Sequence, residues 1–385
     1  MKIKKYVRQL LPVIAFFVII FGLTAGSLGS EKKEYSETEK RELQQMPKVR
    51  WQSVRKGKFQ KKYEKYLADQ FPGRDSWVRL QTDVSRVVGK TESNGVYFGK
   101  DGYLLEHYET SDFENEQSEK NEQALVKFVK KMSKKRNISV MLVPTKTWIM
   151  QEKLPAFAPT YDEQQMYDCM RAQLGDLADT VLVPVADELQ KHTDEQIYYR
   201  TDHHWTTAGA YLGYCAAMEA LGQGNAILPS TAFRREVVSS SFYGTLWAAG
   251  GMEWVPPDSV EVWYRGNESD FTVTADGREL GGFYAFSRLD SGDGYAIFLD
   301  GTHDVVTVRK QGEARPRLLV IRDSFASSLA PFLAQHYDLV LLNLSSTRSD
   351  FTAVSALATE YDADAVLLVY TLENLLTADK LPRLR

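Results

Sequence analysis

The chain has 385 residues, enough for one large domain or for a core with an inserted module, and its 43% hydrophobic and 25% charged residues match a globular protein with a substantial core. A formal net charge of -4 gives no electrostatic case for nucleic acid and does not point to polyanion binding. Two cysteines, Cys169 and Cys215, have neither CxxC nor zinc spacing, which excludes a disulfide scaffold and leaves a single bridge between them open.

At the N-terminus, Lys2, Lys4, Lys5 and Arg8 precede an uncharged stretch rich in Leu, Val, Ile and Phe that runs to Ser30. Its length suits a ~30 Å hydrocarbon core, so residues 1–30 are expected to be a signal peptide or membrane anchor, with an uncleaved anchor favoured and the body outside. Residues 31–50 are charged and lack a sustained apolar period, which predicts a linker before a body spanning 51–385. Phe59, Tyr63, Tyr66, Leu67 and Phe71 recur at helical spacing and predict a packing helix stopped by Pro72-Gly73. Val96-Tyr97-Phe98 and Tyr103-Leu104-Leu105 flank a glycine-bounded turn and predict a hairpin.

A helix through Ala124–Met132 precedes the apolar run 138–143, and a second over 163–178 precedes 181–185. Runs at 317–321, 339–342 and 365–369 follow, separated by helical patterns. Five short apolar strands spaced by helices predict an α/β fold with a doubly wound parallel sheet, covered on both faces. Between 229 and 316 the helical pattern gives way to short β-prone pieces and glycines, a β-rich insertion positioned to shape a groove.

Two stretches carry candidate chemistry. Thr201-Asp202-His203-His204-Trp205-Thr206-Thr207 puts an acid and two imidazoles just before a predicted helix over 208–221, with Thr206 or Thr207 as its cap. A carboxylate next to a histidine can bind Nδ1–H, fix the tautomer and leave Nε2 as a general base. The same residues can instead serve only to stabilise a turn. Ile321-Arg322-Asp323-Ser324-Phe325-Ala326 joins an apolar strand to a helix, and Ser324 there can attack a carbonyl while helix-start N–H groups receive the oxyanion. Asp323 and Ser324 are also ordinary helix caps.

Taken together, these stretches resemble the DHHW group of SGNH-hydrolase-like proteins, relatives of the alginate O-acetylation proteins. Asp202-His203-His204-Trp205 spells the group's motif, and Phe71-Pro72-Gly73-Arg74-Asp75, Gly99-Lys100-Asp101-Gly102-Tyr103, Val143-Pro144-Thr145-Lys146 and Phe242-Tyr243-Gly244-Thr245-Leu246 match it more weakly. The resemblance implies an SGNH-like fold with rearranged motif order, Asp-x-His before Ser. It implies Asp202 as orienting acid, His204 as base and Ser324 as nucleophile, with His203, Arg322 and Lys146 as auxiliary candidates. The expected activity is O-acetyl transfer to, or removal from, an exported polysaccharide, with a membrane-bound O-acyltransferase as acetyl-donor partner and no cofactor or metal. Arg322 either stabilises negative charge near the site or pairs with an acid such as Asp202; Lys146 is read chiefly as a solvated lysine at a strand end.

Two rival readings differ in class. Asp202, His203 and His204 with His192 or Asp194 offer metal ligands, though no HExxH-like spacing supports them. A non-catalytic polysaccharide-binding or assembly scaffold would use Trp247, Trp254, Trp263 and Tyr264 as stacking platforms, residues whose first expectation is packing.

Overall fold

The computed structural model describes residues 2–36, 41–344 and 354–384. The chain divides into two compact units, one formed by Met1–Gly89 with Ala248–Glu253 and the other by Lys90–Trp247 with Trp254–Arg385.

In the smaller unit, α1 (Lys2–Gly29) is one long helix. Its segment Leu10–Ser27 is the one stretch among the described residues long and apolar enough to cross a membrane. α2 (Lys58–Asp69) and α3 (Arg74–Val87) follow, separated by the expected Pro72-Gly73 turn, where Gly73 takes φ +65°, a conformation that favours glycine. The packing role expected for α2 is not borne out within this unit: Asp69 is its sole buried residue, and Tyr63 and Leu67 are exposed.

The larger unit is built on a seven-stranded mixed sheet. Its strands are β1 (Asn137–Val143), β2 (Phe271–Ala275), β3 (Arg278–Glu279), β4 (Val305–Lys310), β5 (Arg317–Arg322), β6 (Asp338–Asn343) and β7 (Ala365–Thr371), in the spatial order β3-β2-β4-β6-β5-β7-β1. From β6 through β1 the pairing is parallel, with Val320 opposite Leu341 and Leu367; β4, β2 and β3 extend the sheet antiparallel. The expected α/β sheet is present, with four parallel strands.

The run 181–185 does not form the fifth parallel strand. Leu182 makes one parallel bridge to Val140, and the chain turns into the helix Val185–Gln190 after Pro184, which has no N–H to continue a ladder. The β-rich stretch 229–316 is β-rich as expected, and three of its strands complete the main sheet. The other two, Arg234–Phe242 and Asp258–Tyr264, pair separately as a bulged antiparallel ribbon.

Successive residues of the parallel strands point to opposite faces, and both faces are covered. Val143, Leu318, Val320, Leu339 and Val369 pack with α6 (Thr207–Ala220) and α7 (Ala326–Leu333). Val140, Leu142, Leu319, Ile321 and Leu368 pack with α4 (Glu116–Met132), α5 (Glu163–Leu174) and α8 (Leu372–Thr377). This double cover leaves the carboxyl ends of β1, β5 and β7 as one rim, where open α/β sheets present side chains to a ligand. Cys169 and Cys215 are both free thiols.

Candidate active site

Ser324 sits in the turn that leaves β5 for α7. The turn is held by Asp323. One carboxylate oxygen accepts the Phe325 N–H (3.0 Å); the other accepts the Thr371 N–H (2.7 Å), the Thr371 hydroxyl (3.0 Å) and the Asn374 amide (3.0 Å). Asp323 thus fastens the Ser324 turn to the end of β7, which explains a carboxylate there better than helix capping does.

The loop before α6 closes on itself. Tyr198 bridges Trp205, the Tyr199 N–H donates to the His204 carbonyl (3.1 Å), and the Thr206 hydroxyl caps α6 by accepting from the Gly209 N–H (3.3 Å). Trp205 is fully buried, its Nε1–H donating to Ser328 Oγ (2.8 Å) on α7. By anchoring to the helix that follows Ser324, Trp205 brings the two distant stretches together.

His204 Nε2 lies 2.7 Å from Ser324 Oγ, and its Nδ1 lies 2.6 Å from Asp202 Oδ1, which also accepts the His204 backbone N–H (3.0 Å). The second Asp202 oxygen accepts the Thr245 N–H (2.8 Å) and hydroxyl (3.1 Å). Burial pushes the Asp202 carboxyl up, but the neighbouring His203 and His204, the His204 hydrogen bond and the Thr245 N–H together hold it well below the usual carboxylate range. A carboxylate that stays ionised against Nδ1–H is the arrangement that leaves Nε2 free to take a proton from Ser324.

The other candidates divide. His203 is half-buried and turned aside, its Nδ1 2.8 Å from Thr245 Oγ1, so of the two histidines His204 is the one hydrogen-bonded to Ser324. Arg322 does not pair with Asp202. It is fully buried beneath the turn, where one Nη donates to Ser327 Oγ (2.9 Å), while among the described residues Nε and the other Nη have no partner. Lys146 is not solvated: it is buried, and its ammonium donates to the carbonyls of Tyr199 (3.2 Å), Arg200 (3.3 Å) and Asp202 (2.7 Å). Burial lowers it to about 8, against the opposing pull of Glu106, Asp202 and Asp258. A strand end that is open in sequence is closed here by the loop folding over it.

Three contributors escaped the sequence reading. Thr245 completes the acid's hydrogen bonds from more than forty residues away. Gly244 makes that approach feasible, since a Cβ there would lie 2.2 Å from the Asp202 Cβ. Tyr295 stacks on His204 with ring centroids 3.6 Å apart and planes 9° apart, and its hydroxyl lies 2.9 Å from Ser328 Oγ. Phe242-Tyr243-Gly244-Thr245-Leu246 was at least a visible motif; Tyr295 lies in a stretch with no local signal.

As a metal site, Asp202, His203 and His204 offer one ligand atom each within 4.8 Å of one another. Both His204 ring nitrogens and His203 Nδ1 already carry hydrogen bonds that an ion would displace. Of the suggested stacking aromatics, Trp263 is buried in the core with the Arg235 guanidinium 4.0 Å over its ring, and Trp247 packs on Tyr243.

A parallel α/β core with Asp, His and Ser converging at its carboxyl rim in that chain order defines an SGNH-hydrolase-like fold. The chain is similar to proteins of the DHHW and AlgX/AlgJ group. Residues 96–274 match the family described as SGNH hydrolase-like domain, acetyltransferase AlgX, a span that holds the DHHW loop and Gly244-Thr245 and ends before Ser324. A probable alginate O-acetylase AlgJ of Pseudomonas syringae is 29% identical over 164 residues, 41% of this chain and 41% of that protein. The match therefore spans about two-fifths of that relative's length. Among solved structures, a DHHW family protein from Eubacterium siraeum has a TM-score of 0.62 at 19% identity, covering 76% of this chain and 95% of that one. Bacillus cereus PatB1 with a sulfonyl adduct has a TM-score of 0.60 at 21% identity, covering 74% and 97%. At these identities the structural likeness concerns the fold.

Proposed function

We propose that this protein is a membrane-anchored serine O-acetyltransferase whose catalytic domain acts on an exported polysaccharide, with Ser324 as nucleophile, His204 as general base and Asp202 as orienting acid. The single observation that carries the reading is the continuous hydrogen-bonded chain from Ser324 Oγ through His204 to the buried, ionised Asp202. The alginate O-acetylase relatives support acetyl as the group transferred, and the apolar segment Leu10–Ser27 supports a membrane anchor.

In the first step Ser324 Oγ attacks the acetyl carbonyl as its proton passes to His204 Nε2. The tetrahedral intermediate collapses, and the departing donor oxygen takes that proton back from His204. Asp202 stabilises the transient imidazolium, and the Ser324 backbone N–H is assigned to the oxyanion. In the second step an acceptor hydroxyl attacks the acetyl-serine ester as its proton passes to His204 Nε2; the tetrahedral intermediate collapses, and His204 delivers that proton to the departing Ser324 Oγ. A sugar hydroxyl as acceptor makes the reaction a transfer; water makes it an esterase. A membrane-bound O-acyltransferase is the proposed source of acetyl groups.

The test uses the full chain in detergent with an activated acetyl ester, following turnover and, by mass spectrometry, an acetyl adduct on Ser324. Loss of both in Ser324→Ala and His204→Ala supports the reading, and equal turnover in Ser324→Ala sinks it. A wild-type protein that binds polysaccharide but forms no adduct would favour the scaffold reading.

A further inference from the structure

The bulk charge of -4 conceals a local concentration of the opposite sign. Residues 48–65 read KVRWQSVRKGKFQKKYEK, with eight basic side chains against the single acid Glu64. All eight are exposed, and among the described residues none has an ion-pair partner, although ion pairs are common elsewhere in the protein. Lys48, Arg50, Trp51, Lys56, Lys58 and Lys62 line an open cleft of about 700 Å³. Unpaired cations so close together repel one another, which favours a bound polyanion.

Two further observations identify the polyanion. First, bulky apolar side chains stand among the cations: Trp51 is 79% exposed, Val49 72% and Met46 56%. Exposed tryptophan interleaved with lysine is the composition that settles at the headgroup level of a bilayer, whereas a soluble polyanion would use the charges alone. Second, the residues on either side of the segment are tied to the chain just past α1 and to its last turn. The Gln70 side chain exchanges hydrogen bonds with the Lys33 backbone (3.1 and 2.8 Å), the Gln44 N–H donates to Asp69 (2.8 Å), and Gly26 lies against Pro72. α2 spans roughly 18 Å, so the whole cluster stays within a few Debye lengths of the point where the apolar helix ends.

We propose that residues 46–65 form a second, peripheral membrane contact that binds anionic phospholipid headgroups. α1 holds the protein at the bilayer; the cationic cleft and Trp51 then dock this unit flat on the same surface, fixing its tilt. The proposal rests on the reading of α1 as a membrane anchor, and the test keeps the two apart.

The experiment is hydrogen–deuterium exchange on the full chain in nanodiscs of phosphatidylcholine alone or with phosphatidylglycerol. Protection of Leu10–Ser27 in both lipids reports the inserted helix; protection of 46–65 in the phosphatidylglycerol discs alone reports the docking. Exchange across 46–65 is expected to slow about threefold or more with anionic lipid, and to recover at high salt and in the Lys56→Glu, Lys58→Glu, Lys62→Glu variant. Equal exchange in both lipids, or protection that persists in the charge-reversed variant, overturns the proposal. Protection by soluble polyphosphate with none from anionic lipid overturns it in favour of a soluble polyanion. An unprotected Leu10–Ser27 shows instead that the anchor reading has failed.

Discussion

Replacing Asp202 by Asn tests the proposed chemistry most directly, because the side chain keeps its shape and loses the property that matters. Asp202 receives four hydrogen bonds, from His204 N–H and Nδ1–H on one oxygen and from the Thr245 N–H and hydroxyl on the other. Asparagine presents one oxygen and one NH₂, so one of those two sides must now meet a donor with a donor. If the NH₂ faces Thr245, the contact with Nδ1–H survives without its charge. If it faces His204, the imidazole is driven to the tautomer that carries its proton on Nε2 and cannot accept from Ser324. The two contacts to His204 are charge-assisted, about 1.5–3 kcal/mol each, so their loss is worth about 3–6 kcal/mol, or roughly 10²- to 10⁴-fold in kcat. The assay is steady-state hydrolysis of an activated acetyl ester, with a thermal melt to establish that the variant is folded. A folded Asp202→Asn protein that keeps about a third or more of wild-type kcat refutes the role assigned to Asp202.

Removing the Lys146 ammonium by Lys146→Met leaves the buried Tyr199 and Asp202 carbonyls without their donor, about 1–2 kcal/mol each, while the Arg200 carbonyl keeps the Leu104 N–H (2.9 Å), so the melting temperature should drop by roughly 4–10 °C and kcat by about tenfold or more. Unchanged values would mean the ammonium does not hold the 199–202 loop. Tyr295→Leu removes the ring stacked on His204 and should cost about three- to tenfold in kcat, while Tyr295→Phe, which keeps the ring, should restore most of it; equal losses in the two variants would put the effect on the hydroxyl. Glu163 is buried and pushed up from 4.5 to about 7, while its oxygens accept from the Thr145 N–H (3.0 Å) and hydroxyl. Because the folded state holds this proton more tightly than the unfolded one, the stability it lends is present below 4.5 and is lost as pH rises through about 7, about 3 kcal/mol in all. Melting curves across that interval should fall more steeply for wild type than for Glu163→Gln, and parallel curves would count against it.

Much of the site was legible because its signals are local. A carboxylate two residues from a histidine, a threonine before a helix and a serine after an apolar strand are all patterns of adjacent residues. Thr206 caps α6 by a short-range hydrogen bond, and Ser324 stands just past the apolar run that forms β5. What was misread depends on distant partners. Lys146 looked solvated because nothing nearby in sequence shows that the 199–202 loop folds over it. Arg322 was offered Asp202 as a partner and points instead to Ser327.

The amino-acid sequence by itself determined the apolar N-terminal helix, the alternation of helices with buried strands, and the two stretches that carry Asp202, His204 and Ser324, since each follows from periodicity and composition within a short window. Tertiary structure alone decided that 181–185 contributes only a bridge, that three strands from the β-rich stretch widen the sheet, and that Thr245, Gly244 and Tyr295 meet Asp202 and His204. The reason is the same in each case: strand order and side-chain partners over forty or more residues are set by which surfaces the whole chain can bury together, a quantity that no local pattern records.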